Sequence, residues 1–232
     1  MSAAVPDVTT LLATASRAPQ GLTGLDSAQF AAALDLDGLV ISLSNSSGLE
    51  LVWCDPSDKA GIAIEDLQYT LGEGPTVDAA RTGAPVIVPD LRAVPEQRWP
   101  ALLPSLRDRP VRAMYALPLQ LGVIRLGALT GRRDTPGPLS RHQMTDALAL
   151  SEAVTLMLLT PVGARDVGSD NPLPLHRALL HQAAGVLSVR LAIPIDQALA
   201  RLRAYAFTHD RPILDVADDV LNHRSRLENT PD

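Results

Sequence analysis

Leu175 to Leu227, LHRALLHQAAGVLSVRLAIPIDQALARLRAYAFTHDRPILDVADDVLNHRSRL, decides how the chain is organised, because its apolar residues recur at helical spacing in three separate runs. In the first run Leu175, Leu179, Ala183, Val186 and Leu187 make one buried face. The second is Ile195, Ala198, Leu199, Leu202 and Ala206, and the third Ile213, Val216, Ala217, Val220 and Leu221. Ala192-Ile193-Pro194 separates the first two, with proline suited to a helix start. His209-Asp210-Arg211-Pro212 places an N-cap type aspartate and a second proline ahead of the third.

The faces left over are polar in a particular way. Arg177, His181, Ala184 and Ser188 form a stripe expected to lie opposite the apolar face of the first helix. Beside it runs a strip of small or short residues, Ala178, Gln182, Gly185 and Val189. A glycine inside a helix costs up to about 1 kcal/mol relative to alanine, so close approach of a partner or of a neighbouring helix is expected there. Arg201 and Arg203 flank the apolar stripe of the second helix, whereas the third carries Asp215, Asp218 and Asp219 outward. A nucleic-acid surface therefore belongs to the first two helices: Arg177, His181, Gln182, Ala184, Gly185, Arg201 and Arg203.

His181-Gln182-Ala183-Ala184-Gly185-Val186-Leu187, then Asp196-Gln197-Ala198 with Leu202-Arg203 and Tyr205-Ala206, then Asp215-Val216-Ala217-Asp218-Asp219-Val220, resemble the ANTAR domain. That family is a three-helix RNA-binding module of bacterial transcription antiterminators, and the match runs through the whole module in order. Many members carry lysine where this chain has Ala184, which removes one phosphate contact and leaves Arg177 and His181 beside the gap. The resemblance implies binding of hairpins in nascent transcripts by a homodimer. A module that binds a protein partner in place of RNA, joined to a dimerising domain, is the alternative that Ala184 and a weak local charge favour.

Charge divides the chain. Its 232 residues carry a net −6, yet residues 175–228 hold 7 Arg against 6 Asp and Glu, or +1, leaving 13 against 20, or −7, elsewhere. The upstream part is thus a poor nucleic-acid binder. Apart from Lys59 every Lys or Arg is arginine, and Cys54 is the only cysteine, which excludes an intramolecular disulfide and a cysteine-based metal cage. No apolar run approaches the ~20 residues of a membrane span, and no basic stretch opens the chain, so a cytoplasmic protein without membrane attachment is expected.

Residues 1–21 read as a tail. Ala28–Leu34 is predicted helical, Gly38–Leu43 a strand, Asn45-Ser46-Ser47-Gly48 a hairpin turn and Leu49–Cys54 its returning strand. Lys59–Leu71 and Thr76–Arg81 follow as helices around Gly72-Glu73-Gly74-Pro75, then a strand at Ala84–Val88, helix or loop over Pro95–Arg109, and paired strands at Val111–Leu121 and Val123–Thr130. Ser140–Leu159 is a helix opened by a Ser140/Gln143 capping box. Its Met144, Ala147, Leu148, Ser151, Val154 and Leu158 share a face that either packs on the sheet or forms a dimer seam. Pro161 to Pro172 has linker composition.

The pattern is an α+β fold, an antiparallel sheet with flanking helices followed by a small all-α module. Leu71-Gly72-Glu73-Gly74-Pro75 with Val77-Asp78-Ala79-Ala80, Thr82-Gly83-Ala84-Pro85-Val86 with Pro89-Asp90-Leu91, Arg98-Trp99-Pro100, and Leu117-Pro118-Leu119 with Leu126-Gly127-Ala128-Leu129 resemble the GAF domain, of the kind that precedes ANTAR modules in actinobacteria. The resemblance implies a sensory or dimerising domain over 22–160, with an unidentified small molecule as a ligand class, a linker at 161–174 and the module at 175–228. No P-loop, G-x-S-x-G or H-E-x-x-H motif occurs, so no catalytic residue, cofactor or metal ligand is assigned, and the chain is expected not to be an enzyme. His176 and His181 point to different sides of a helix and make a poor metal pair. Asp55, Asp58, Glu65 and Asp66 read as solvated carboxylates, and Cys54 beside Trp53 as core or half-buried.

Overall fold

Alternating apolar residues build the sheet. The computed structural model describes residues 6–15, 21–45, 48–160 and 176–222; the linker reading at 161–174 and the end of the module at 223–228 lie outside the described residues. Strands β1 (Gly38–Asn45), β2 (Gly48–Trp53), β3 (Val86–Val88), β4 (Ala113–Leu121) and β5 (Ile124–Arg133) form one antiparallel sheet in the order β2-β1-β5-β4-β3. Asn45 pairs with Gly48, as the hairpin reading requires. Both faces are covered. Tyr115, Leu117 and Leu119 of β4 enter one core with helices α1 (Val8–Ala15), α2 (Ser27–Ala33) and α6 (Arg141–Leu158). Met114 and Ala116 enter a second core with α3 (Lys59–Leu71), α4 (Pro75–Thr82) and α5 (Leu102–Leu106).

Local signals hold α3 in place. Asp58 accepts a hydrogen bond from the Gly61 amide at 2.9 Å as its N-cap, and Gly72 ends the helix in the left-handed conformation at φ 68°. The same Asp58 pairs with the Arg132 guanidinium at 2.6 Å, which ties the start of α3 to β5. Burial opposes the charge on Arg132, but the hydrogen bond and charge of Asp58 outweigh it and hold its pKa above the ordinary value. Asp58 is therefore a structural ion-pair partner and not a solvated carboxylate.

Two expectations about the flanks change. Ser140 and Gln143 cap α6 reciprocally, but Val154 and Leu158 are buried inside the chain's own core, so they are not available as a dimer seam. The leucines that α6 leaves exposed are Leu148 and Leu156, with Leu159 just beyond it. Within the supposed tail, α1 packs on α6 with Val8 in the core, because Val8, Leu11 and Leu12 gather on one side of a helix.

The module is three helices, α7 (Ala178–Leu191), α8 (Ile195–Thr208) and α9 (Ile213–Leu221), opened at Pro194 and Pro212 as read from the sequence. In α8 and α9 the buried residues are Ala198, Leu199, Leu202, Ala206, Ile213, Val216, Ala217 and Val220, while Ile195 is exposed. In α7 the buried face is Leu180, Ala183, Ala184 and Leu187, which turns the helix by about one residue from the expected register and leaves Leu179 exposed. Two adjacent leucines offered two helical faces, and packing against α8 and α9 selects the second. Among the described residues no single helix is long and apolar enough to cross a membrane.

Candidate functional site: the seam between sheet domain and helical module

The module sits on the edge strand β2 and on the outer side of α3. Tyr69, from the last turn of α3, is buried in the module's core cluster. Two guanidiniums lie over its ring, Arg177 at 4.4 Å and Arg203 at 4.2 Å from the centroid. Arg177 is only 1% exposed; it pairs with Asp66 at 2.8 Å and donates to the Leu49 carbonyl at 2.9 Å. Its backbone amide donates to Glu50 at 2.8 Å. His176 stands 2.9 Å from Asp66, and His181 stands 3.1 Å from Glu50. The turn residue Gly48 completes the contact: a Cβ there would lie 3.0 Å from the Arg203 guanidinium and 3.3 Å from the Tyr69 ring.

The expected cationic stripe is therefore only partly right. Arg177, His181 and Arg203 do converge on one surface, across two helices, but that surface faces the sheet domain and not solvent. Ala184 is fully buried in the module's core, so it is not part of an exposed stripe, because the register of α7 turns it inward. Arg201 is half-buried. Gln182 is exposed and Gly185 half-exposed, and among the described residues nothing lies within 4 Å of where a Gly185 Cβ would be, so none of their helices packs closely there. Val189 in the same strip is 83% exposed.

Glu50, Asp66 and Tyr69 were not legible as partners. Asp66 and Glu65 had read as solvated, yet both are engaged, on different sides of α3. Glu65 is fully buried and accepts hydrogen bonds from Thr76 at 2.7 Å, Gln68 at 2.8 Å and Ser42 at 3.0 Å, while Thr76 also meets Thr130 at 3.0 Å. Burial pushes the Glu65 carboxyl above its ordinary value, against the opposing hydrogen bond of Thr76 and the charge of Arg177. This network fills the space between α3, α4 and the sheet. The available hint was α3 itself, whose Glu65, Asp66, Gln68 and Tyr69 are too many polar groups for a helix with one wet face.

Two hollows flank the seam. One of about 840 Å³ runs along β2 and the start of α2, lined by Trp53, Cys54, Lys59, Ile62 and His176 among others. Cys54 is half-buried, and burial followed by the charge of Asp58 pushes its thiol pKa up, so it is a poor nucleophile. The other, about 440 Å³, lies between α3 and the corner from α8 to α9, lined by Asp66, Arg109, Phe207 and Arg211 among others. Among the described residues no group of three His, Cys, Asp or Glu could hold a metal.

A five-stranded antiparallel sheet in this order, helices on both faces and a helical module at one edge define an α+β domain with an appended three-helix unit. The GAF domain family profile matches residues 27–158, more than half of the chain, and the chain belongs to that family. Solved structures agree on the fold. The GAF domain of an Acinetobacter phosphoenolpyruvate-protein phosphotransferase superposes with a TM-score of 0.53 at 11% identity, covering 70% of this chain and 94% of that one. The GAF domain of a Coxiella burnetii phosphoenolpyruvate-protein phosphotransferase gives 0.50 at 14% identity, covering 65% and 89%. No curated protein matches the chain in sequence.

Proposed function

We propose that this GAF protein is a cytoplasmic transcription antitermination regulator, a non-enzymatic homodimer whose terminal helices form an ANTAR-type module that binds hairpins of nascent RNA. The observation that carries the reading is the convergence of Arg177, His181 and Arg203 from two helices onto one surface, in a module whose third helix places Asp215 on its exposed side. Guanidiniums that stack on a ring and pair with carboxylates are equally suited to RNA bases and phosphates. The open strip of Gln182 and Gly185 lies on the same helix and extends the contact. The GAF domain supplies signal input through a small molecule or a partner.

The test is affinity of the full chain for a pool of RNA stem-loops at several salt concentrations. Arg203→Glu should weaken binding and reduce the log–log salt slope by about 0.7 to 0.9 per lost phosphate contact. Equal affinity and slope for variant and wild type would remove the surface. A second reading, a module that binds protein, is favoured by the exposed Leu179, Val189, Ile195 and Phe207. It expects no RNA binding from any form of the chain.

A further inference from the structure

The cations that would bind RNA are already engaged, and the chemistry of what engages them is specific. The Tyr69 ring carries both guanidiniums, and two carboxylates, Asp66 and Glu50, take Arg177 and the two histidines. A ring stacked on arginine with anionic oxygens to either side is what an unpaired loop nucleotide presents: a base and its flanking phosphates. Resting on the RNA-binding reading above, we propose that the Glu50–Asp66–Tyr69 patch is an internal competitor of RNA: it occupies the nucleotide-binding side chains of the module in the nucleotide's own manner. Docking and RNA binding then exclude one another, since Arg177 at 1% exposure cannot reach a phosphate while it holds Asp66.

Three further features fit the competitor. The acidic side of the chain's charge division faces the basic side here. The contact is made by the turn residue Gly48, the Leu49 carbonyl and Glu50 carboxylate of the edge strand and one side of α3, with the rest of the module's core made from its own helices. And among the described residues Tyr69 is the one residue of the GAF domain in that buried cluster. Release therefore withdraws one ring from the module's core and leaves the contacts among its three helices in place.

The apparent affinity of a site that is open only part of the time falls in proportion to the open fraction, so unlatching should tighten RNA binding by about tenfold or more. The experiment uses the full chain, a fluorescent pool of RNA stem-loops with randomised loops, and two sets of variants. Tyr69→Ala removes the ring; the isosteric pair Glu50→Gln with Asp66→Asn removes the charges and keeps the volume. Hydrogen exchange over Lys59–Leu71 and Ala178–Leu191 reports undocking independently of RNA. Faster exchange with affinity raised about tenfold is the expected result, and adding Arg177→Ala to either variant should reverse the gain. Faster exchange with measurable but unchanged RNA affinity overturns the competition while leaving the RNA reading in place. Undocked variants that bind no RNA overturn the RNA reading itself and favour a protein partner.

Discussion

Ala184→Lys separates the sequence reading from the structure most sharply. On sequence alone the substitution adds a phosphate contact to an exposed stripe, at almost no helix-propensity cost. In the structure Ala184 has no exposure and sits among Leu180, Leu187, Ala217 and Val220 in the module's core. Overpacking a filled core costs about 1–3 kcal/mol, and a buried ammonium without a partner adds to it, so a loss of about 3 kcal/mol is expected. That corresponds to more than a hundredfold in the module's folding equilibrium. The assay is urea unfolding of the full chain followed by two signals. Trp53 and Trp99 are the only tryptophans and both lie in the GAF domain, whereas helical circular dichroism reports the module as well. Ala184→Lys should bring in an early loss of helical signal while the tryptophan transition stays in place. Gln182→Lys, two residues away and exposed, should stay within about 0.5 kcal/mol of wild type. An Ala184→Lys chain as stable as wild type would refute the register of α7.

Glu65 sets a pH dependence. Its folded pKa is raised, so its contribution is fully present below the ordinary value of 4.5 and is lost as pH rises through the higher folded value. Glu65→Gln should flatten that decline in unfolding free energy, and equal pH slopes for the two proteins would contradict it. Asp58→Ala leaves Asp134 as the ion-pair partner of Arg132, beside the Pro110 and Asp37 carbonyls, and uncaps α3, and should cost about 3 kcal/mol by denaturation. Gly127→Ala should be strongly destabilising in the same assay, because a Cβ there would lie 2.0 Å from the Ser42 carbonyl on the neighbouring strand. For the proposed assembly, sedimentation at micromolar concentration should show a dimer, and a monomer would overturn it.

What the sequence made legible was local. The limits of α3, the hairpin at Asn45 and Gly48, the capping box at Ser140 and the prolines opening α8 and α9 each depend on residues within a few positions of one another. What it hid depends on distant partners. Leu179 and Leu180 are equivalent as letters, and only the packing of α7 on α8 and α9 chooses between them. Arg177 and His181 sit on a polar side of their helix in any reading, so solvent was the default neighbour until the edge strand placed Glu50 and α3 placed Asp66 against them. Glu65 and Asp66 are consecutive acids whose fates differ because consecutive helical positions point about 100° apart.

The geometry of α3 has a mechanical consequence. Glu65 and Tyr69 are four residues apart, about 6 Å along the axis, and each is gripped by a different layer of the molecule. A packed interior yields little, and α3 is pinned at its start by Asp58 and gripped along its length by both layers. The buried hydrogen bonds of Ser42, Thr76 and Thr130 and the ring on which two arginines rest thus hang on one helix, a single turn apart.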